Sequence, residues 1–187
     1  GECPYGGWGR SRTRLRSGAA RLESVRAGTL AASLVEWGRD VAKISKRVHW
    51  MALDLDDTGP AAALQSAGAT LVRGQGNLVD HNAVEVGGER YVARRAVVVA
   101  NGSTASIPPI PGLDSVDYWT NRQATLPREL PISLAVLGGG AIGLELGQAF
   151  ARFGSKVWII EAGPRVLGRG EPEAGAAVKP HSEATGT

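Results

Sequence analysis

The stretch 136–154, VLGGGAIGLELGQAFARFG, followed at once by 155–161, SKVWIIE, decides the fold. Residues 132–137 form an uncharged apolar run, which predicts a parallel strand buried on both faces. The run meets Gly138, Gly140 and Gly143, in the pattern G-x-G-x-x-G. In that pattern Gly138 permits the tight turn, Gly140 leaves out the side chain that would block a pyrophosphate, and Gly143 lets a helix pack close to the strand. The phosphates then rest on the helix N-terminus, along Gly138, Gly139, Gly140, Ala141, Ile142 and Gly143, where unpaired N–H groups and the helix dipole favour an anion. Ile142, Leu146, Ala149, Phe150 and Phe153 predict one apolar helix face, and Gly154 its stop. Residues 156–160 read as the next strand. Glu161 stands at its end, about 20 residues past the glycines, where a carboxylate accepts the ribose hydroxyls of NAD and repels the 2'-phosphate of NADP. Strand, turn, helix, second strand and acid in this order separate a dinucleotide site from an isolated glycine-rich turn.

Composition sets wider limits. A chain of 187 residues buries one good core or parts of two domains. Its single cysteine, Cys3, makes neither an internal disulfide nor an all-cysteine metal site, and no metal is expected. No stretch has the length and apolarity of a membrane span, and no secretory leader pattern opens the chain, so a cytoplasmic protein without membrane partners is expected. Arg10, Arg12, Arg14 and Arg16 form a basic cluster. Against a nucleic-acid patch stand the absence of interleaved aromatics and a net charge of only +3.

Residues 1–59 give weak patterns, apart from helix-compatible residues over 19–42. A short helix is expected over 61–68, ending in glycine, and a brief strand over 70–73. Residues 83–86 and 91–93 flank Gly87-Gly88 as a hairpin. Residues 96–100 read as another buried apolar strand, ending in Asn101-Gly102-Ser103. The proline-rich 107–113 follows as a stiff connection and the best domain boundary, and 114–131 as mostly irregular chain.

With these pieces in place, the chain resembles the flavin-dependent pyridine nucleotide-disulfide oxidoreductases, which include dihydrolipoamide dehydrogenase and mercuric reductase. Three motifs carry the likeness, in the family's order. The first is GECPY at the start. The family has a cysteine pair here, and Cys3 matches its first member while Trp8 stands at the second. Ser11 matches a serine after the pair, Arg10 stands in place of a proline, and Arg12 replaces a lysine. A dithiol relay needs two sulfurs, so it cannot operate with Trp8 in place. Cys3 is then either a thiolate stabilised by nearby arginines or an ordinary cysteine.

The second motif, AVVVANGSTASIPPIPGL at 96–113, is similar to the strand and turn that close the family's FAD domain. The resemblance implies flavin contact at Ala100, Asn101, Gly102 and Ser103, with Gln75 and Gly76 near the adenine. The third motif is the glycine turn itself. There Glu145 matches an acid that the family places between the flavin and nicotinamide rings, paired with the basic residue represented by Arg12. A solvated helix carboxylate is the other reading of Glu145.

The resemblance therefore implies an α/β chain with portions of two Rossmann-like FAD/NAD(P)-binding domains and a small antiparallel hairpin or meander. A partial FAD domain is expected at 1–113 and a partial NAD(P) domain at 114–187. The FAD glycine turn before the cysteines and the dimerisation domain at the end of the family fold have no counterpart, so an internal fragment or the product of a disrupted gene is expected. The implied cofactors are FAD and NAD, with NADP disfavoured, and the implied partners are a small redox substrate and, in the intact family, a second subunit. The expected function is part of an NAD(P)H-linked flavin oxidoreductase of the mercuric reductase or dihydrolipoamide dehydrogenase type. The alternative is a non-catalytic nucleotide-binding remnant.

Overall fold

The computed structural model describes residues 8–32, 41–127 and 129–184, and Cys3 lies outside them. In chain order the helices are α1 (Trp8–Leu30), α2 (Val41–Met51), α3 (Thr58–Ser66), α4 (Asn121–Ala124), α5 (Ala141–Arg152) and α6 (Pro172–Ala184). The strands are β1 (Gly76–Asp80), β2 (Ala83–Val86), β3 (Glu89–Val92), β4 (Ser133–Leu137) and β5 (Lys156–Ile160). Packing divides the chain into two compact units, Leu55–Ser103 and a second that joins Glu2–Asp54 to Thr104–Thr187.

In the unit Leu55–Ser103, β1, β2 and β3 form an antiparallel meander. Val86 pairs with Glu89 across Gly87 and Gly88, whose φ values are 60° and 86°. Two consecutive left-handed residues are what a tight hairpin turn of the right twist requires, so the expected hairpin is present. Helix α3 ends as expected in glycine: Gly68, at φ 82°, donates to Gln65, and Ala69 donates back to Leu64. Two expected strands are corrected. Neither 70–73 nor 96–100 is in a sheet, and Val98 and Val99 are 85% and 70% exposed. An apolar run becomes a strand only when a neighbour completes its ladder of hydrogen bonds, and no described strand pairs with either segment.

The second unit holds the β4–α5–β5 crossover. β4 and β5 are parallel, with Leu134 beside Val157 and Val136 beside Ile159. These four residues form the less exposed side of the pair, whereas Leu137, Trp158 and Ile160 on the other side are exposed. The expectation of a strand buried on both faces is thus corrected for β4: α5 packs on this two-stranded sheet, and exposure alternates along both strands.

Helix α5 buries Leu144, Leu146, Ala149, Phe150 and Phe153, while Ile142 is 60% exposed. The expected apolar face is corrected at both ends of that comparison. Leu144 is buried although it lay outside the expected face, and α1 packs on α5 as well, so the helix is covered on more than its sheet side. Ile142 lies in the first turn, where side chains lean towards the helix N-terminus and away from the packed body. The end of α5 follows expectation: Gly154, at φ 96°, donates to Ala151, and Ser155 donates to Phe150, a closed glycine cap.

Helix α1 begins at Trp8, ahead of the basic cluster, rather than at residue 19. Arg10 and Arg14 stand four apart and share a buried face, while Arg12 and Arg16 are exposed. Gly18 lets the two helices approach: a Cβ there would lie 3.8 Å from the Ala149 Cα and 3.5 Å from the Arg152 Cδ. Helix α2, which carries no distinct signal in the residue pattern, packs on α1 and buries Val48.

Candidate functional site: a glycine-lined dinucleotide cradle

Each glycine of the turn has its own physical reason. Gly138 sits at φ 108°, where a side chain is strained, and its N–H extends the ladder by donating to Ile160 at 2.8 Å. A Cβ at Gly143 would run into the carbonyl oxygen of Gly138 and lie 3.2 Å from Val136 Cγ1, so a bare helix is needed where α5 passes the turn. Gly140 is the opposite case. Its backbone is ordinary, at φ −77° and ψ 177°, and a Cβ there would meet nothing within 4 Å. Steric need within the fold does not explain glycine at that position, whereas room for an incoming phosphate does. Gly140 is also the N-cap of α5 and supplies no side-chain cap, which leaves first-turn N–H groups at Ala141 and Ile142 for an anion.

Glu161 is built into the turn. Its Oε2 accepts from the Gly139 N–H at 2.7 Å, and its Oε1 accepts from the Gly163 N–H at 2.7 Å. These donors, Gly163 first and then Gly139, hold its carboxyl below the ordinary glutamate range. A carboxylate offers about four lone-pair sites, so acceptor capacity remains for ribose hydroxyls. The residues present therefore fit a dinucleotide: an open phosphate position, a helix N-terminus without a cap, and a fixed anion at the second strand end.

Sequence reading missed the segment that follows. Residues 163–171 fold back onto the turn, with Leu167 donating to the Gly139 carbonyl at 2.8 Å. Val166 fits between two glycines: a Cβ at Gly139 would lie 2.9 Å from its Cγ1, and a Cβ at Gly175 would lie 2.6 Å from its carbonyl oxygen. The Arg165 guanidinium donates from Nη1 to Leu167 at 2.9 Å, and from Nη2 to Gly168 at 3.1 Å and Gly170 at 2.7 Å. The signal was Arg165 among the three glycines of EAGPRVLGRG, the stretch that begins at Glu161.

The remaining expected site residues are more scattered. Glu145 on α5 and Arg12 on α1 are both exposed, and no ion pair among the described residues joins them. Gln75, Gly76, Ala100, Asn101, Gly102 and Ser103 belong to the other compact unit and are exposed. Gly102 has the left-handed backbone, φ 76°, that a turn at this place requires. Trp8 opens α1. Among the described residues no cluster of His, Cys, Asp or Glu is arranged for a metal, and no helix is long and apolar enough to cross a membrane.

Known proteins share this arrangement. A family model described as pyridine nucleotide-disulphide oxidoreductase matches residues 1–187. A mercuric reductase of Bacillus cereus is 34% identical over 139 residues, covering 74% of this chain and 22% of the relative. A dihydrolipoyl dehydrogenase of Chlorobaculum tepidum is 37% identical over 153 residues, 79% of this chain and 32% of the relative. The chain thus spans about a fifth to a third of the length of these curated relatives. The Cu(II) complex of an HOCl-induced flavoprotein disulfide reductase from Escherichia coli has the same fold, with a TM-score of 0.76 at 21% identity, over 100% of this chain and 39% of that one. With the β4–α5–β5 cradle, the antiparallel meander and a family match over the whole sequence, the chain belongs to the pyridine nucleotide-disulphide oxidoreductase family.

Proposed function

We propose that this chain is the nucleotide-binding part of an FAD-dependent, NAD(P)H-linked oxidoreductase, with 1–113 contributing to flavin binding and 114–187 to nicotinamide nucleotide binding. The open Gly140 position beside the uncapped start of α5 is the observation that carries the nicotinamide half. The flavin half rests on family likeness at Gln75, Gly76 and 100–103. Bound together, the two cofactors supply hydride transfer between nicotinamide and flavin.

The chain's own residues bind and orient. The N–H groups of Ala141 and Ile142 take the pyrophosphate, Gly140 leaves it room, and Gly138, Gly139 and Gly143 hold the turn in shape. Glu161, kept ionised by two backbone donors, accepts the ribose hydroxyls and repels a 2'-phosphate, so NAD is preferred over NADP. Glu145 with Arg12 orients the reacting rings in this reading. Cys3 is the surviving half of the family's redox pair. The acceptor is a small redox substrate, a disulfide or a mercuric ion, and the working protein is a cytoplasmic homodimer.

Titration with NADH tests the reading. Gly140→Val is expected to abolish binding and leave the melting temperature unchanged, because the new side chain meets only the open phosphate position. Equal NADH affinity in the variant and the natural chain would refute it.

A second reading, nucleotide binding without catalysis, is favoured by Trp8 at the place of the second cysteine and by the exposure of Val98 and Val99. Bleaching of co-eluting flavin absorbance on addition of NADH, which reports hydride transfer, would exclude it.

A further inference from the structure

The geometry points to Arg165 as a positioning residue of the dinucleotide site, a latch that holds 163–171 as a strap over the glycine turn. This inference deepens the dinucleotide reading and rests on it. The strap does not follow from local preference. Leu167 adopts φ 52°, a left-handed conformation that a side chain resists, and such strain persists only where the surroundings enforce it. The enforcing group is the Arg165 guanidinium. It gathers the carbonyls of Leu167, Gly168 and Gly170 around one planar fork, with the Glu171 carbonyl at 3.5 Å from Nη1. A lysine ammonium, a single point donor on a flexible stem, cannot span that set.

The held strap acts on the site through two contacts. Leu167 donates to the Gly139 carbonyl, and the Val166 side chain presses on Gly139. The N–H of that same glycine holds the Glu161 carboxylate. Gly139 is therefore fixed from both sides, by the strap at its carbonyl and by Glu161 at its N–H. Releasing Arg165 frees the strap, then the Gly139 peptide, then the carboxylate that faces the ribose. Arg165 acts through the strap and not on the nucleotide, because both of its terminal nitrogens are engaged by strap carbonyls.

Amide hydrogen exchange on the purified full chain, together with NADH titration, tests the latch. In Arg165→Ala the Leu167 amide is expected to exchange much faster while Leu146 and Phe150 of α5 keep their protection, and the NADH Kd is expected to rise about tenfold. Arg165→Lys is expected to keep the fold and recover only part of both effects. Natural protection at Leu167 with an unchanged Kd in Arg165→Ala would overturn the inference, as would equal loss of protection throughout α5. A natural chain that fails to bind NADH would instead sink the dinucleotide reading, and exchange at Leu167 would still decide whether the latch exists.

Discussion

The guanidinium of Arg14 on α1 donates two hydrogen bonds, from Nε at 3.2 Å and Nη2 at 3.0 Å, to the carbonyl oxygen of Thr125, 111 residues further along the chain. Thr125 is the C-cap of the short helix α4, so the cation also meets the negative end of a helix. The same guanidinium lies 5.9 Å from the centre of the Phe150 ring on α5. One side chain thereby ties together α1, α4 and α5, and it is fully buried. Burial pulls its pKa down to about 10, which leaves it charged at neutral pH.

Arg14→Ala is expected to lower the unfolding free energy by about 2–4 kcal/mol, through the lost volume and the unpaired Thr125 carbonyl. Arg14→Met, which keeps the packing against Phe150, is expected to lose roughly half as much. Urea denaturation of the three proteins measures this. Equal midpoints would show that the buried guanidinium does not hold the helices together.

Gly139→Ala places a methyl group 2.9 Å from Val166 Cγ1 and 3.2 Å from Glu161 Oε2. Overpacking of this kind costs about 1–3 kcal/mol. Val166→Ala in the same chain is expected to restore most of the loss, and a double-mutant cycle of melting curves reads the coupling. Additive effects would show that the strap yields freely.

Glu161→Gln leaves one acceptor oxygen where two N–H groups now donate. NADH binding is expected to weaken and NADPH binding to gain relative to it, measured by paired titrations. The pH dependence follows from the lowered carboxyl pKa. The folded-state pKa lies below the ordinary value of 4.5, so the stabilising interaction is present above that value and is lost as pH falls through the lower, folded one. The Gly139 and Gly163 amide chemical shifts are therefore expected to hold constant from neutrality to pH 4.5 and to move only in stronger acid. A transition near neutrality would contradict the two hydrogen bonds.

Gly154→Ala forces a side chain to φ 96° in the cap of α5. A loss of about 1–2 kcal/mol is expected, seen as a lower thermal midpoint, with the NADH Kd unchanged because the cap lies at the other end of the helix from Gly140.

Much of the site could be read from residue order. The glycine turn, the helix with its glycine stop, the second strand and the acid are local features, set by periodicity and by single residues with special backbone needs. The hairpin at Gly87-Gly88 was legible for the same reason. Residues 96–100 differ from expectation because an unbroken apolar run reports suitability for a strand and not the presence of a partner. The arginines at 10–16 read in sequence only as a basic cluster that argues weakly for nucleic acid, yet the four-residue spacing of Arg10 and Arg14 already put them on one helix face. Which face is buried depends on α5 lying more than a hundred residues away.

By itself, then, the sequence determined the glycine turn, the acid at the end of the second strand and the family, since these depend on residue types at short fixed spacings. Tertiary structure alone decided that α1 packs on α5, that Arg14 reaches Thr125, that one face of β4 and β5 stays open, and that Val166 closes on Gly139. Those contacts join residues far apart in the chain, where steric fit and the pairing of buried polar groups set the outcome and local pattern carries no record of it.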